Sequence, residues 1–479
     1  MFVPENLPDP SSAERSAGAT PRATDASCPS HEQLKQWDQQ HVWHAFSQML
    51  DYDGLIIEHA AGNWLVDVAG NRYLDGGSSL WCNVHGHQHP TINAAIRAQL
   101  DSVAHVTLLG MNHPTTIRLA RRLVELSPEG LEHVFFSSDG SSAVEVALKL
   151  AFQFWQQTDP AQPKRTSYLA IGNAYHGDTI GSVAVGGVAR FHAMFDPLLF
   201  SVVRGPCPDT YRLPPDLPED AGEEAICQYY LDQYRRLIEQ HSERLAAVVI
   251  EPLVQCAAGI VSHPKGFLAG LAKLAREFDL LLIADEIAVG MGRTGTLFAC
   301  ESEGVEPDLL CLGKGLTGGY LPMAATLISN RIWSAFLGEY CESRSFFHGH
   351  TYSGNALAAA AALATLDVFE AEDTLENVRE RGRQLEKCLE PLKDHPNVGD
   401  IRRRGLIVGI ELVSDRSKKA PFPWSERRGQ AVCDEALKQG VWIRPIGNVV
   451  IAMPTLAITE AEVETLANAI LAGVKMLCC

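Results

Sequence analysis

The sequence lacks any apolar run approaching the roughly 20 residues that a membrane-spanning helix requires, and its amino terminus lacks the basic-then-apolar pattern of a secretory signal. Positive charge is scarce: 40 Lys and Arg stand against 58 Asp and Glu, a net charge of -18. With no basic stripe to displace counterions, such a chain is not expected to bind nucleic acid. The 12 cysteines include no C-x-x-C, which argues against a zinc ribbon and a disulfide framework alike. A transit peptide is disfavoured by Glu5, Asp9, Glu14 and Asp25, because such segments avoid acids. These absences point to a protein of the reducing cytoplasm with no membrane partner.

What is present suits a large α/β enzyme. A chain of 479 residues can bury an extensive core. Residues 1–36, rich in Pro, Ser, Ala and polar side chains, read as a disordered leader. From 37 to 89 short strand-like runs alternate with turns, as at Gly70-Asn71, and suggest part of a small domain. Residues 90–354 carry the buried strands and amphipathic helices of a large domain with a mostly parallel sheet. Residues 355–479 begin with one long helix to about Leu392 and continue as an α+β domain.

The stretch from Leu280 to Gly319 concentrates the chemistry. Two apolar runs without polar alternation, Leu280–Ala284 and Leu309–Leu312, read as strands buried on both faces. Asp285 leaves the first and Lys314 the second. Ligands of open α/β sheets bind beyond the carboxyl ends of the strands, so both side chains can meet one molecule. A desolvated lysine amine forms a Schiff base with an aldehyde, and a carboxylate holds a pyridine nitrogen protonated; pyridoxal phosphate presents both partners. Taken singly, Asp285 reads equally as a turn cap and Lys314 as a surface loop lysine.

Further candidates lie upstream. The strand ending at Phe136 runs into Ser137-Ser138-Asp139-Gly140-Ser141-Ser142 and then a helix, either an anion site for the cofactor phosphate or an ordinary serine cap. Tyr175 or His176, just after the strand Tyr168–Ile171, can stack on a flat ring. Glu251 stands at another strand exit. Two motifs compete. Gly290-Met291-Gly292-Arg293-Thr294-Gly295 matches the dinucleotide fingerprint but leaves little room for the helix that must follow. His85, His87 and His89 alternate as zinc ligands on a strand would, which keeps a zinc hydrolase as the reading from a different class.

Together the runs IADEIAVGMGRTG (283–295) and LGKGLTGG (312–319) resemble the class III, fold-type I pyridoxal-phosphate aminotransferases, and the resemblance extends from Trp37 to the end. It implies Lys314 as the Schiff-base lysine, Asp285 as the partner of the pyridine nitrogen, Gly140 and Ser141 at the phosphate, and Tyr175 on the ring. It also implies that Thr351 reaches the phosphate of a neighbouring subunit in a homodimer, and that Phe46, Trp81, Tyr175, Gly349 and Arg444 bind substrate, Arg444 as a carboxylate fork. Within the family, HVWHAF (41–46), SSLWCNVHGHQHP (78–90), NAYHGDT (173–179), FFHGHTYSGN (346–355) and VWIRPIG (441–447) resemble the branch that serves biotin synthesis. That branch aminates 8-amino-7-oxononanoate with S-adenosylmethionine as donor; lysine as donor, or another ω-amino acid transamination, is the alternative. Departures from the family are Phe46 for a common tyrosine, Ser138-Asp139-Gly140 for Asp-Ser-Gly, a single Trp81 and His350 for a proline. Asp139 would set an acid beside the phosphate unless it turns away.

Overall fold

A computed structural model describes residues 29–478, and these fall into two compact units, 29–58 with 67–70 and 59–66 with 71–478. Most of the leader read as disordered, residues 1–28, lies outside the described residues. Its last part is helical. Ser30 and Gln33 form a capping box that starts the helix His31–His41, an arrangement that satisfies two backbone donors otherwise left open; composition alone did not reveal it. In the same unit Lys35 pairs with Asp53 at 2.7 Å and His44 stacks on Tyr52 with ring centroids 3.8 Å apart.

The second unit is built on a seven-stranded sheet. We number its strands in chain order: β1 Leu131–Ser137, β2 Ser167–Ile171, β3 Val203–Gly205, β4 Leu245–Ile250, β5 Leu281–Asp285, β6 Leu309–Leu312 and β7 Ala324–Ser329. Their spatial order is β1-β7-β6-β5-β4-β2-β3. All neighbours run parallel except β7, which is antiparallel to β6 and to β1. The mostly parallel sheet expected from the uninterrupted apolar runs is what forms, because both of its faces are covered. Leu281, Ile283, Leu309 and Cys311 pack with Val144, Ala147, Leu148 and Ala151 of the helix Gly140–Gln157. Their alternates Leu282, Ala284, Leu310 and Leu312 join the larger core with Phe267 and Leu271. Each leucine or isoleucine fully buried in this way stabilises the fold by about 1.5–3 kcal/mol.

Register then sets the site. Asp285 lies opposite Cys311, so Lys314 emerges three residues further along the adjacent, parallel strand path. Both side chains leave the same edge of the sheet.

The remaining chain differs from the sequence reading at one clear point. The single helix expected from Asn355 to Leu392 is two, Ala356–Ala371 and Thr374–Leu389. Asp373 breaks it by adopting φ 47°, a left-handed conformation that a short polar side chain tolerates better than most. The first of these helices packs on Pro90–Leu100 and Pro114–Leu126, with Ile92 seated among Ala361, Ala364 and Val368. Packing therefore continues across position 354/355. Antiparallel strands Val398–Arg404, Ile407–Asp415, Val449–Ala452 and Arg444–Ile446 form a second sheet. The strand Arg72–Asp75 pairs with Val441–Trp442, which joins residues from both ends of the chain. Among the described residues no helix is long and apolar enough to cross a membrane.

Candidate active site

Three small contacts bring the strand exits and a helix start together. A Cβ on Gly140 would lie 2.8 Å from Ile287 Cγ2, and one on Gly313 would lie 3.3 Å from the same atom and 3.5 Å from Gly140 Cα. Ile287 is held in turn by its N–H, which donates to Asp285 Oδ1 at 3.0 Å. The amino terminus of the helix Gly140–Gln157 therefore sits against the Asp285 and Lys314 loops, an approach that any larger residue at 140 would block. Lys314 itself has φ 40°, a strained conformation of the kind that gathers at functional sites. Among the described residues its amine makes no hydrogen bond or ion pair; the Trp81 ring stands 5.7 Å from Nζ to centroid.

Asp285 is buried, and its Oδ2 accepts from His176 Nδ1 at 2.7 Å. Burial disfavours charge on His176, but the bond to Asp285 and the carboxylates of Asp285 and Glu251 outweigh it and hold the imidazole above its ordinary pKa. Of the two aromatic candidates His176 is engaged with Asp285, and half-buried Tyr175 has the His192 ring stacked near it, centroids 6.0 Å apart. Glu251 accepts the N–H of Tyr175 at 3.0 Å and that of Cys256 at 3.1 Å, while Tyr175 Oη donates to Asp178 Oδ2 at 2.7 Å. The sequence pointed to Glu251 as a strand-exit acid without a role. It clamps the Tyr175 backbone.

At the helix start, Asp139 is the N-cap. Its carboxylate accepts the N–H and the hydroxyl of Ser142, both at 2.9 Å, a cap worth about 1 kcal/mol. The aspartate three residues before Ser142 is itself a cap signature and could have been read as one. Ser141 Oγ accepts the N–H of Asp178 at 3.2 Å, and Ser138 Oγ lies 3.4 Å from His350 Nδ1.

The other candidates are dispersed. Arg444 is exposed at the start of its strand. Gly349 and Thr351 lie on an exposed loop, where the Thr351 carbonyl accepts from His105 Nε2 at 2.9 Å. Phe46 belongs to the first unit, where it is exposed with φ 53°. The zinc alternative does not survive: His85 bonds the Thr365 carbonyl, His87 bonds Asp75 and His89 bonds Glu372, so the three imidazoles serve three separate partners. Nor does the dinucleotide motif. Gly290–Gly295 leads into the short 3-10 turn Ala299–Glu303, and Arg293 is buried, donating to the Ser78 hydroxyl and to the Asn83 and Pro454 carbonyls.

An unpaired amine, a buried carboxylate, a half-buried aromatic side chain and a helix amino terminus meet here. That donor set fits an aldehyde-bearing pyridine ring with a phosphate, the group inferred from sequence.

One neighbouring group makes stability depend on pH. Glu286 is fully buried, accepts the N–H groups of Ala299 and Cys300 at 2.6 and 2.8 Å, and is raised by burial from 4.5 to about 7. A pKa raised on folding gives stability that is complete below about pH 4.5 and lost as pH rises through 7. Relative to wild type, Glu286→Gln should therefore gain about 3 kcal/mol between pH 4 and pH 8. Urea titrations of both proteins at the two pH values measure it, and a difference that does not move with pH refutes it.

The comparisons with known proteins follow the same lines. The family described as aminotransferase class-III matches residues 48–473. The chain is 55% identical over 441 residues to an adenosylmethionine-8-amino-7-oxononanoate aminotransferase of Nitratidesulfovibrio vulgaris, covering 91% of this chain and 80% of the relative. A Geobacter sulfurreducens protein of the same name is 46% identical, covering 91% and 96%. The crystal structure of the like-named Methanocaldococcus jannaschii protein superposes with a TM-score of 0.87 at 42% identity, covering 93% and 99%. A thermostable (S)-enantioselective omega-transaminase from Thermomicrobium roseum gives 0.88 at 33% identity, covering 94% and 99%.

Proposed function

The chain belongs to the class III aminotransferases, and from that premise we propose that it aminates 8-amino-7-oxononanoate to 7,8-diaminononanoate in biotin synthesis, with S-adenosylmethionine as donor. The observation that carries the chemistry is the adjacent exit of Asp285 and Lys314 from paired parallel strands, with the lysine amine unpaired. The acceptor is supported by relatives of that name at 55% and 46% identity and not by fold, since the TM-scores of 0.87 and 0.88 do not separate the two kinds of transaminase.

Pyridoxal phosphate, when bound, supplies a carbonyl for the amine and a ring that draws electrons from the substrate carbon. Lys314 would hold it, with Gly140 and Ser141 at the phosphate, Tyr175 on the ring face and Asp285 at the ring nitrogen. Lys314 Nζ, displaced by the incoming donor, would take the proton from the amine-bearing carbon of the donor and give it up on the cofactor side, not back to that carbon. In the second half of a ping-pong cycle the same amine delivers a proton to carbon 7 of the keto acid. Asp285 keeps a negative charge beneath the site, oriented by His176. Trp81 and Gly349 would line the apolar chain, and Arg444 would grip the carboxylate.

A homodimer completes this reading, with Thr351 reaching the partner's phosphate. It is supported by large apolar side chains left uncovered in one chain, among them Leu109, Tyr340 and Phe347 at 89, 101 and 80% exposure. The division into a cofactor domain, 90–354, and a small domain from 37–89 with 355–479 goes with it, as does a cytoplasmic setting.

Arg444 offers a direct test. Its guanidinium has no acidic partner among the described residues, so Arg444→Ala should raise KM for the keto acid by about 10- to 100-fold with little change in kcat. Unchanged kinetics would favour a different ω-amino acid acceptor. The donor is tested by adding S-adenosylmethionine and lysine separately to the cofactor-loaded enzyme. S-adenosylmethionine should bleach the cofactor's visible absorbance; bleaching by lysine alone would replace it as donor.

A further inference from the structure

Between the strand Arg72–Asp75 and the helix Pro90–Leu100 the backbone takes a path that no glycine in it explains. Ser78, Ser79, Leu80 and Trp81 have φ of 43, 48, 67 and 69°. They form one left-handed helical turn, closed by bonds from the Trp81 N–H to the Gly77 carbonyl (2.8 Å) and from the Cys82 N–H to the Ser78 carbonyl (3.0 Å). L-residues visit this region singly, because Cβ crowds the following carbonyl. Four in succession persist only where the surroundings over-determine them.

The restraints can be named. Fully buried Asp75 accepts the Ser79 N–H at Oδ1 (2.9 Å) and the Ser79 hydroxyl at Oδ2 (2.8 Å); the same Oδ2 accepts from His87 Nε2 at 3.1 Å. The Ser78 hydroxyl donates to the Met453 carbonyl at 2.7 Å and accepts from Arg293 at 2.7 Å. The lead-in is fixed as well: a Cβ on Gly76 would stand 2.6 Å from Ile443 Cγ2, and one on Gly77 2.7 Å from the Trp442 ring. The turn ends by presenting the Trp81 ring to Lys314 Nζ at 5.7 Å. A right-handed or extended path through 78–81 would carry the indole off that amine.

Resting on the transaminase reading above, we propose that Asp75 is a positioning residue: through Ser79 it holds the left-handed turn that sets Trp81 beside the reacting amine. It thereby governs how tightly the apolar chain of the keto acid is held, without touching the substrate.

The test is steady-state kinetics on cofactor-saturated enzyme, with the keto acid varied at saturating donor. Asp75→Ala should raise KM for the keto acid by about 10-fold and leave kcat within about threefold. Asp75→Asn, which keeps an acceptor for the Ser79 N–H and can donate to its hydroxyl, should recover most of that affinity. Because the effect passes through Trp81, the Asp75→Ala/Trp81→Ala double variant should exceed Trp81→Ala alone by no more than about twofold in KM. Effects that multiply in the double variant, or no recovery with Asn, overturn the proposal. If Asp75→Ala does not fold, Ser79→Ala decides: about a threefold rise in KM that vanishes in the Trp81→Ala background supports the proposal, and any other result overturns it. Failure of the underlying reading looks different, since wild-type enzyme would then form no product from the keto acid.

Discussion

Lys314→Ala should lower turnover by about 10⁴-fold or more while the protein stays folded. The substitution removes the covalent attachment point and the group that moves the proton, two functions of one amine. It removes no hydrogen bond or ion pair from the described structure, because the amine has none there. The thermal midpoint without cofactor should therefore stay within about 2 °C of wild type. A small primary amine added to the variant should restore part of the proton-transfer rate, since the missing base is then supplied from solution. Residual activity above about 1% without such an amine would be incompatible with the role.

Asp285→Asn should be the next most damaging change, lowering kcat by about 10²- to 10³-fold in both half-reactions. Asparagine keeps an acceptor for the Ile287 N–H, which Asp285 Oδ1 now accepts at 3.0 Å, so that contact is retained while the negative charge and the acceptor for His176 Nδ1 are lost. That charge is set in a buried position with His176 2.7 Å away, where little water screens it. His176→Gln, which loosens the carboxylate without removing its charge, should cost only about tenfold. Rapid-mixing measurements of the two half-reactions separate these effects. Wild-type rates in Asp285→Asn would remove the carboxylate from the chemistry.

The parts of this site that lie on strands were legible from the residues. Leu309–Leu312 forms a strand with the bounds its apolar run gave, and the acids and lysine at strand exits follow from the parallel order. What could not be read were relations set by register or by packing. The His176–Asp285 bond joins residues 109 apart in sequence and exists because β2 and β5 flank β4. The break at Asp373 has no glycine or proline to announce it. The left-handed turn at 78–81 is written in ordinary serine, leucine and tryptophan, and buried Asp75 and Arg293, the Met453 carbonyl and the close-packed lead-in at Gly76 and Gly77 impose it. Asp139 shows the opposite case: its cap on Ser142 was open to a purely local reading. Arg444 and Thr351 entered only by resemblance, because an exposed strand end and an exposed loop carry no pattern of their own.

The central claim is that the amine of Lys314 carries the cofactor. Borohydride reduction of cofactor-saturated enzyme, followed by digestion and peptide mass mapping, addresses it directly. The account predicts one modified peptide, with the pyridoxyl group on Lys314; no modified peptide, or the group fixed on another lysine, would contradict it.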